Sequence, residues 1–144
     1  MLNKFTAKKL WLLAIISGLP FITAQAAELV AKKYNEVAYV SGGIGDQEQA
    51  ALKAMADEFN LNLVFAVEEG GNYLSDVAVR VYDAQGALAL DVISDGPMLY
   101  ANLPAGQYNV EVSGFGEIYQ QNIEVSESGR ESVNFTWPRK KAIM

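Results

Sequence analysis

The chain has 144 residues, no cysteine, no histidine and a formal net charge of −6. This composition excludes disulfide staples, zinc sites built on Cys or His, and catalysis near neutral pH by a His or Cys side chain. An acidic chain also repels a phosphate backbone, which argues against a nucleic-acid partner.

In chain order, Lys4, Lys8 and Lys9 precede an apolar run from Leu10 to Ala24, and Ala24-Gln25-Ala26 follows. Positive flank, short apolar core and A-x-A together predict a cleaved signal peptide over residues 1–26. Gly18 and Pro20 interrupt a run already shorter than the ~20 residues a spanning helix needs, so no stable membrane insertion is expected after cleavage. Cleavage removes three lysines and no acid, which takes the net charge from −6 to −9 and leaves 118 residues. That length makes one domain able to rely on packing alone. Export without cysteine fits a bacterial periplasm or cell exterior.

Residues 27–36 show no persistent period and read as a flexible lead-in. Val37 to Val40 is a short β-forming run, ended by Ser41-Gly42-Gly43-Ile44-Gly45-Asp46. Leu52, Met55, Ala56 and Phe59 then fall at i, i+3, i+4 and i+7, one face of a helix. Asp46 is the expected N-cap, with Gln49 completing a capping box. Glycines before a helix suggest a phosphate cradle. The spacing here is G-G-x-G, however, no Lys follows, and Asp46 puts a negative charge where the phosphate would sit. Gly42, Gly43, Gly45 and Asp46 are therefore read as a tight turn into the helix. Leu61, Leu63, Phe65 and Val67 alternate as a strand, so residues 37–68 form a strand-helix-strand unit, leaving open a parallel pairing through a crossover.

Glu68-Glu69-Gly70-Gly71-Asn72 is the candidate internal boundary. From residue 73 to 138 everything reads as β. Val77, Val79 and Val81 alternate up to the turn Asp83-Ala84-Gln85-Gly86, and Leu88, Leu90 and Val92 up to Ser94-Asp95-Gly96-Pro97. Met98 to Leu103 then leads to Leu103-Pro104-Ala105-Gly106, where Pro104 and Gly106 supply hairpin chemistry. Tyr108, Val110 and Val112 alternate after it. Ile118, Ile123 and Val125 form the next strand, and Val133, Phe135 and Trp137 the last. Turn signals every 8 to 12 residues between short alternating strands predict an antiparallel sandwich. Residues 139–144, Arg-Lys-Lys-Ala-Ile-Met, are a basic tail read as a solvated terminus.

Few residues carry candidate chemistry. No lysine lies between Lys53 and Lys140 to activate a serine, so no catalytic residue is assigned and the chain is expected not to be an enzyme. Carboxylates at turns suit calcium, but Asp83-Ala84-Gln85-Gly86 lacks the ladder of an EF-hand, and Asp in a turn caps local amides. No metal and no cofactor are assigned. Among the tyrosines, Tyr108 shares parity with Val110 and Val112 and reads as core. Met98, Leu99 and Tyr100, an apolar trio beside a turn, are the candidate exposed contact patch.

The residues LPAGQYNVEV, preceded by DGPMLYANLP and followed by IEVSESGRESVNFTW, resemble the carboxypeptidase regulatory-like domains, which belong with the transthyretin-like and collagen-adhesin B-type modules. The resemblance covers about Tyr73 to Trp137. It implies a small Ig-like sandwich that supports folding, stalks or adhesion without catalysis. The Lys-Asn crosslink of the adhesin relatives is not carried over, because this region has no lysine.

The expected object is thus mainly β, an Ig-like antiparallel β-sandwich with an N-terminal strand-helix-strand unit. The expected function is that of a non-catalytic exported binding or structural domain of the bacterial envelope. The alternatives are an assembly partner acting through sheet-edge pairing with an unknown envelope protein, and a carbohydrate-binding module.

Overall fold

Period-2 patterning becomes nine strands among the described residues of the computed structural model, which are 29–68 and 74–138. The expected signal peptide and basic tail lie outside them. The elements are β1 (Lys32–Tyr34), β2 (Val37–Gly42), helix α1 (Asp46–Ala54), a 3₁₀ turn (Ala56–Glu58), β3 (Leu61–Val67), β4 (Ala78–Asp83), β5 (Leu88–Ile93), β6 (Met98–Ala101), β7 (Gly106–Gly114), β8 (Glu117–Val125) and β9 (Glu131–Trp137). They form two sheets. One has the order β1-β2-β6-β3-β9, the other β5-β4-β7-β8. Every neighbouring pair is antiparallel except β3 and β9, which run parallel from Leu61↔Glu131 to Val67↔Trp137. The mainly β sandwich with one N-terminal helix is the architecture the patterning predicts.

The strand-helix-strand segment does not stand apart from the sandwich. Both β2 and β3 are antiparallel to β6 and flank it, with Val40↔Tyr100 on one side and Leu63↔Leu99 on the other. β2 and β3 are therefore parallel to each other without touching, and the crossover through α1 leaves a slot that β6 fills. Within the expected lead-in, Lys32 to Tyr34 form a strand that pairs with Val37 to Tyr39 around Asn35, whose φ is 53°. Asn tolerates that left-handed conformation better than other non-glycine residues.

Two apolar clusters hold the layers. Between the sheets, Leu61, Leu63, Phe65, Val79, Val81, Leu99, Val110, Val112, Phe135 and Trp137 pack together. On the other side of the first sheet, Val40, Leu52, Phe59, Met98 and Tyr100 pack under α1 and the 3₁₀ turn, with Met55 and Ala56 at the margin. The helical face predicted at Leu52, Met55, Ala56 and Phe59 is thus the one that docks, although the α-helix ends at Ala54 and a 3₁₀ turn carries the rest.

Leu103-Pro104-Ala105-Gly106 is not a hairpin. β6 belongs to the first sheet and β7 to the second, so the Pro-Gly segment is a corner that carries the chain between layers. The Tyr108 hydroxyl donates to the Pro104 carbonyl at 2.6 Å across it, the geometry of a tyrosine corner in a sandwich. Gly96 is fixed by close approach, because a Cβ there would run into the backbone carbonyl of Gly42. Two measurements check these points. Tyr108→Phe removes the corner bond and should cost about 1 kcal/mol in denaturant unfolding. Gly96→Ala must push β2 from the Ser94–Met98 turn and should cost about 1–3 kcal/mol.

Candidate functional site

Gly42, Gly43, Gly45 and Asp46 are where the sequence places them, but Asp46 is not the cap. Gly45 occupies the N-cap position and contributes no side-chain bond. Glu48 does the work from inside the first turn, its Oε1 accepting from the amides of Gly43 at 2.9 Å and Ile44 at 3.0 Å. Gln49 donates its side-chain amide to the Gly43 carbonyl at 3.0 Å. The carboxylate of Glu48 thus occupies the position an external anion would need, and the turn is architectural.

Met98, Leu99 and Tyr100 are not an exposed patch. They lie in β6 with a strand on either side, and the relative exposures are 4, 0 and 4%. Met98 and Tyr100 face α1 while Leu99 faces the opposite sheet, so the trio is buried on both faces. Tyr100 packs on Phe59 with ring centroids 6.1 Å apart. Burial raises the hydroxyl pKa of Tyr100, partly offset by Arg130, and burial followed by Asp83 raises that of Tyr108. Neither ring is available for the aromatic platform a glycan would need.

A cleft of about 620 Å³ opens where the 3₁₀ turn, the β6–β7 corner and the β8–β9 turn meet. Four of its polar side chains, Asn60, Asn102, Arg130 and Asp57, are committed to the fold. Asn60 accepts from the Leu103 amide at 2.9 Å and donates to its carbonyl at 2.8 Å, while Asn102 accepts from the Asn60 amide at 3.0 Å and donates to the Glu58 carbonyl at 2.9 Å. Arg130 pairs with Asp57 across the mouth. This asparagine exchange locks the corner and had no signal in the sequence. Asp83 is similarly engaged, its Oδ1 accepting the amides of Gln85 and Ala87, each at 2.9 Å.

The outer face of the second sheet and the tip of its β7–β8 hairpin are exposed. The cross-strand register aligns Ile93, Ala78, Ser113 and Ile118 in one row over all four strands. In the adjacent row Val79 and Val112 are fully buried, so alternation turns the first row outward. The next outward row is polar. Arg80 reaches Asp91 at 3.4 Å and Glu111 at 3.8 Å, and Gln120 donates to Glu111 at 3.2 Å. An uncharged strip with Ile93 62% and Ile118 60% exposed thus borders a charged one.

At the end of the strip, Gly114 pairs with Glu117 and leaves a two-residue loop, Phe115-Gly116, with φ of 50° and 75°. Positive φ at both positions is the type I′ turn, whose first residue is normally Asn, Asp or Gly. Phe115 is 52% exposed in that conformation, at a cost of roughly 1–2 kcal/mol for a side chain with a Cβ. The base of the hairpin is held by Trp137, which donates to the Gly114 carbonyl at 3.0 Å and sets its ring edge-on to Tyr119 at 5.2 Å. An aromatic is therefore presented on a rigid tip.

No protein-family model matches the chain, and no curated protein does. A solved structure described as "Crystal Structure of S.CueP" is similar, with a TM-score of 0.40 and 17% identity over 93% of this chain and 96% of that one.

The reassigned cap is tested by a pair of variants. Glu48→Ala leaves two turn amides without an acceptor and should cost about 1–2 kcal/mol of stability, whereas Asp46→Ala loses only a helix-dipole contribution and should cost about 0.5 kcal/mol. Equal losses in chemical denaturation would restore Asp46 as the cap.

Proposed function

We propose that the protein is an exported, non-catalytic binding domain of the bacterial envelope, periplasmic or secreted, of the carboxypeptidase regulatory-like kind, and that the β7–β8 tip makes its contact. The observation that carries this reading is Phe115. A large aromatic held half exposed in a left-handed turn position costs stability that folding alone gives no reason to bear, and such outliers gather at functional positions. The strip running from Ile118 to Ile93 continues the apolar surface beside it. A chain without His or Cys supports the non-catalytic part. The signal-like N-terminus supports export.

A second reading, assembly through a sheet edge, is favoured by β9. Among the described residues nothing pairs with its outer edge, and its residues Ser132 to Trp137 carry no charge.

Phe115→Asn separates binding from folding. It installs the residue this turn prefers and should raise stability by about 1 kcal/mol, while stripping the partner that co-purifies with the wild type from envelope fractions. Retention of that partner at wild-type stoichiometry would sink the tip as the contact.

A further inference from the structure

The four sheet edges are not alike. At one side of the sandwich β1 lies over β5, and both edges are guarded. β1 is three residues long and carries Lys32 and Lys33, and β5 bears an irregularity where Val81↔Leu90 gives way to Tyr82↔Leu88. Short length, lysines and bulges are how natural sheets prevent edge pairing. At the other side β9 lies beside β8, with seven and nine residues respectively and neither a lysine nor a proline in either.

We infer that β9 is a self-complementary edge that pairs antiparallel with β9 of a second copy of this chain, about a two-fold axis at Asn134. This rests on the edge-pairing reading and names its partner. Asn134 is the midpoint of Glu131–Trp137, so a two-fold there sets Asn134 opposite Asn134, Ser132 opposite Thr136 and Val133 opposite Phe135. Ser132, Asn134 and Thr136 are exposed and uncharged, while Val133 and Phe135 already point into the core. Amide and hydroxyl pairs of that kind stabilise cross-strand contacts, and the inner pair extends the existing core. Charge permits that occupant. A copy of a chain with net charge −6 is repelled wherever acids would meet, and β9 offers a stretch where none do. The middle of the adjacent β8, Gln120-Gln121-Asn122, is uncharged too, with Glu117 and Glu124 displaced to its ends.

The test uses residue 134 because only a two-fold at that position makes the residue face itself. The wild type should show a concentration-dependent monomer–dimer equilibrium in sedimentation. Asn134→Lys and Asn134→Glu, each confirmed folded by thermal melting, should weaken self-association at least about tenfold by like-charge apposition, and an equimolar mixture of the two should recover it. A wild type that stays monomeric at every concentration, or a mixture that associates no better than either variant alone, overturns the proposal. If the wild type is monomeric and Asn134→Lys sheds a co-purifying envelope protein, edge pairing stands and the second copy is wrong. If neither association nor a partner responds, both are wrong.

Discussion

The structure depends on β6. Four residues, Met98 to Ala101, are buried on both faces and paired along both edges, and each consequence of that position constrains another part of the chain. Because β6 fills the slot between β2 and β3, the N-terminal segment cannot close its own sheet and must share one with residues that follow much later. Because Met98 and Tyr100 face outward from the sandwich core, that side needs a cover, which α1 and the 3₁₀ turn provide through Leu52 and Phe59. Because the next strand lies in the other sheet, the chain must turn a corner within Asn102 to Ala105. The Asn60–Asn102 exchange and the Tyr108–Pro104 bond satisfy backbone groups there that no ladder reaches.

Much of this was legible in the sequence, for a simple reason. Alternation reports which face of a strand is buried, and Leu61, Leu63 and Phe65, then Val79 and Val81, then Val133 and Phe135 all face the core as their parity predicts. Partner identity was not legible, because Pro104 and Gly106 turn a chain equally well within one sheet or between two. Met98-Leu99-Tyr100-Ala101 did carry a signal. A run apolar at every position marks a strand buried on both faces, and exposure was expected only because a turn precedes it. The cap was misplaced for a comparable reason. Asp46 suits the position by residue type, but the glycines shift the first helical residue so that Glu48, two positions on, is the carboxylate in reach of the Gly43 and Ile44 amides.

The surface features with functional content left a fainter trace. Gly114-Phe115-Gly116 reads as a turn by its glycines, and the flanking residues hide that Phe115 occupies the position where Asn is normal. The strip from Ile93 to Ile118 is assembled from four strands by cross-strand register, so no window of sequence contains it. Long-range pairing gathers single exposed aliphatics, unremarkable one by one, into a surface.

Protection of the edges follows the same logic of placement over composition. Cations are scarce in the β region, with Arg80 on a central strand engaged by Asp91 and Glu111, and Arg130 just before β9 engaged by Asp57. Lys32 and Lys33 sit on β1, so among the described residues lysine guards one pair of edge strands and not the other. A chain that needed both edges silent could place a lysine at Asn134 or Thr136 at little cost, since both are exposed and neither makes a side-chain bond among the described residues. Neutral, hydrogen-bonding side chains there leave the β9 ladder open. Acids that would face their own copies elsewhere are absent from Ser132 to Trp137, the line along which two such strands would meet.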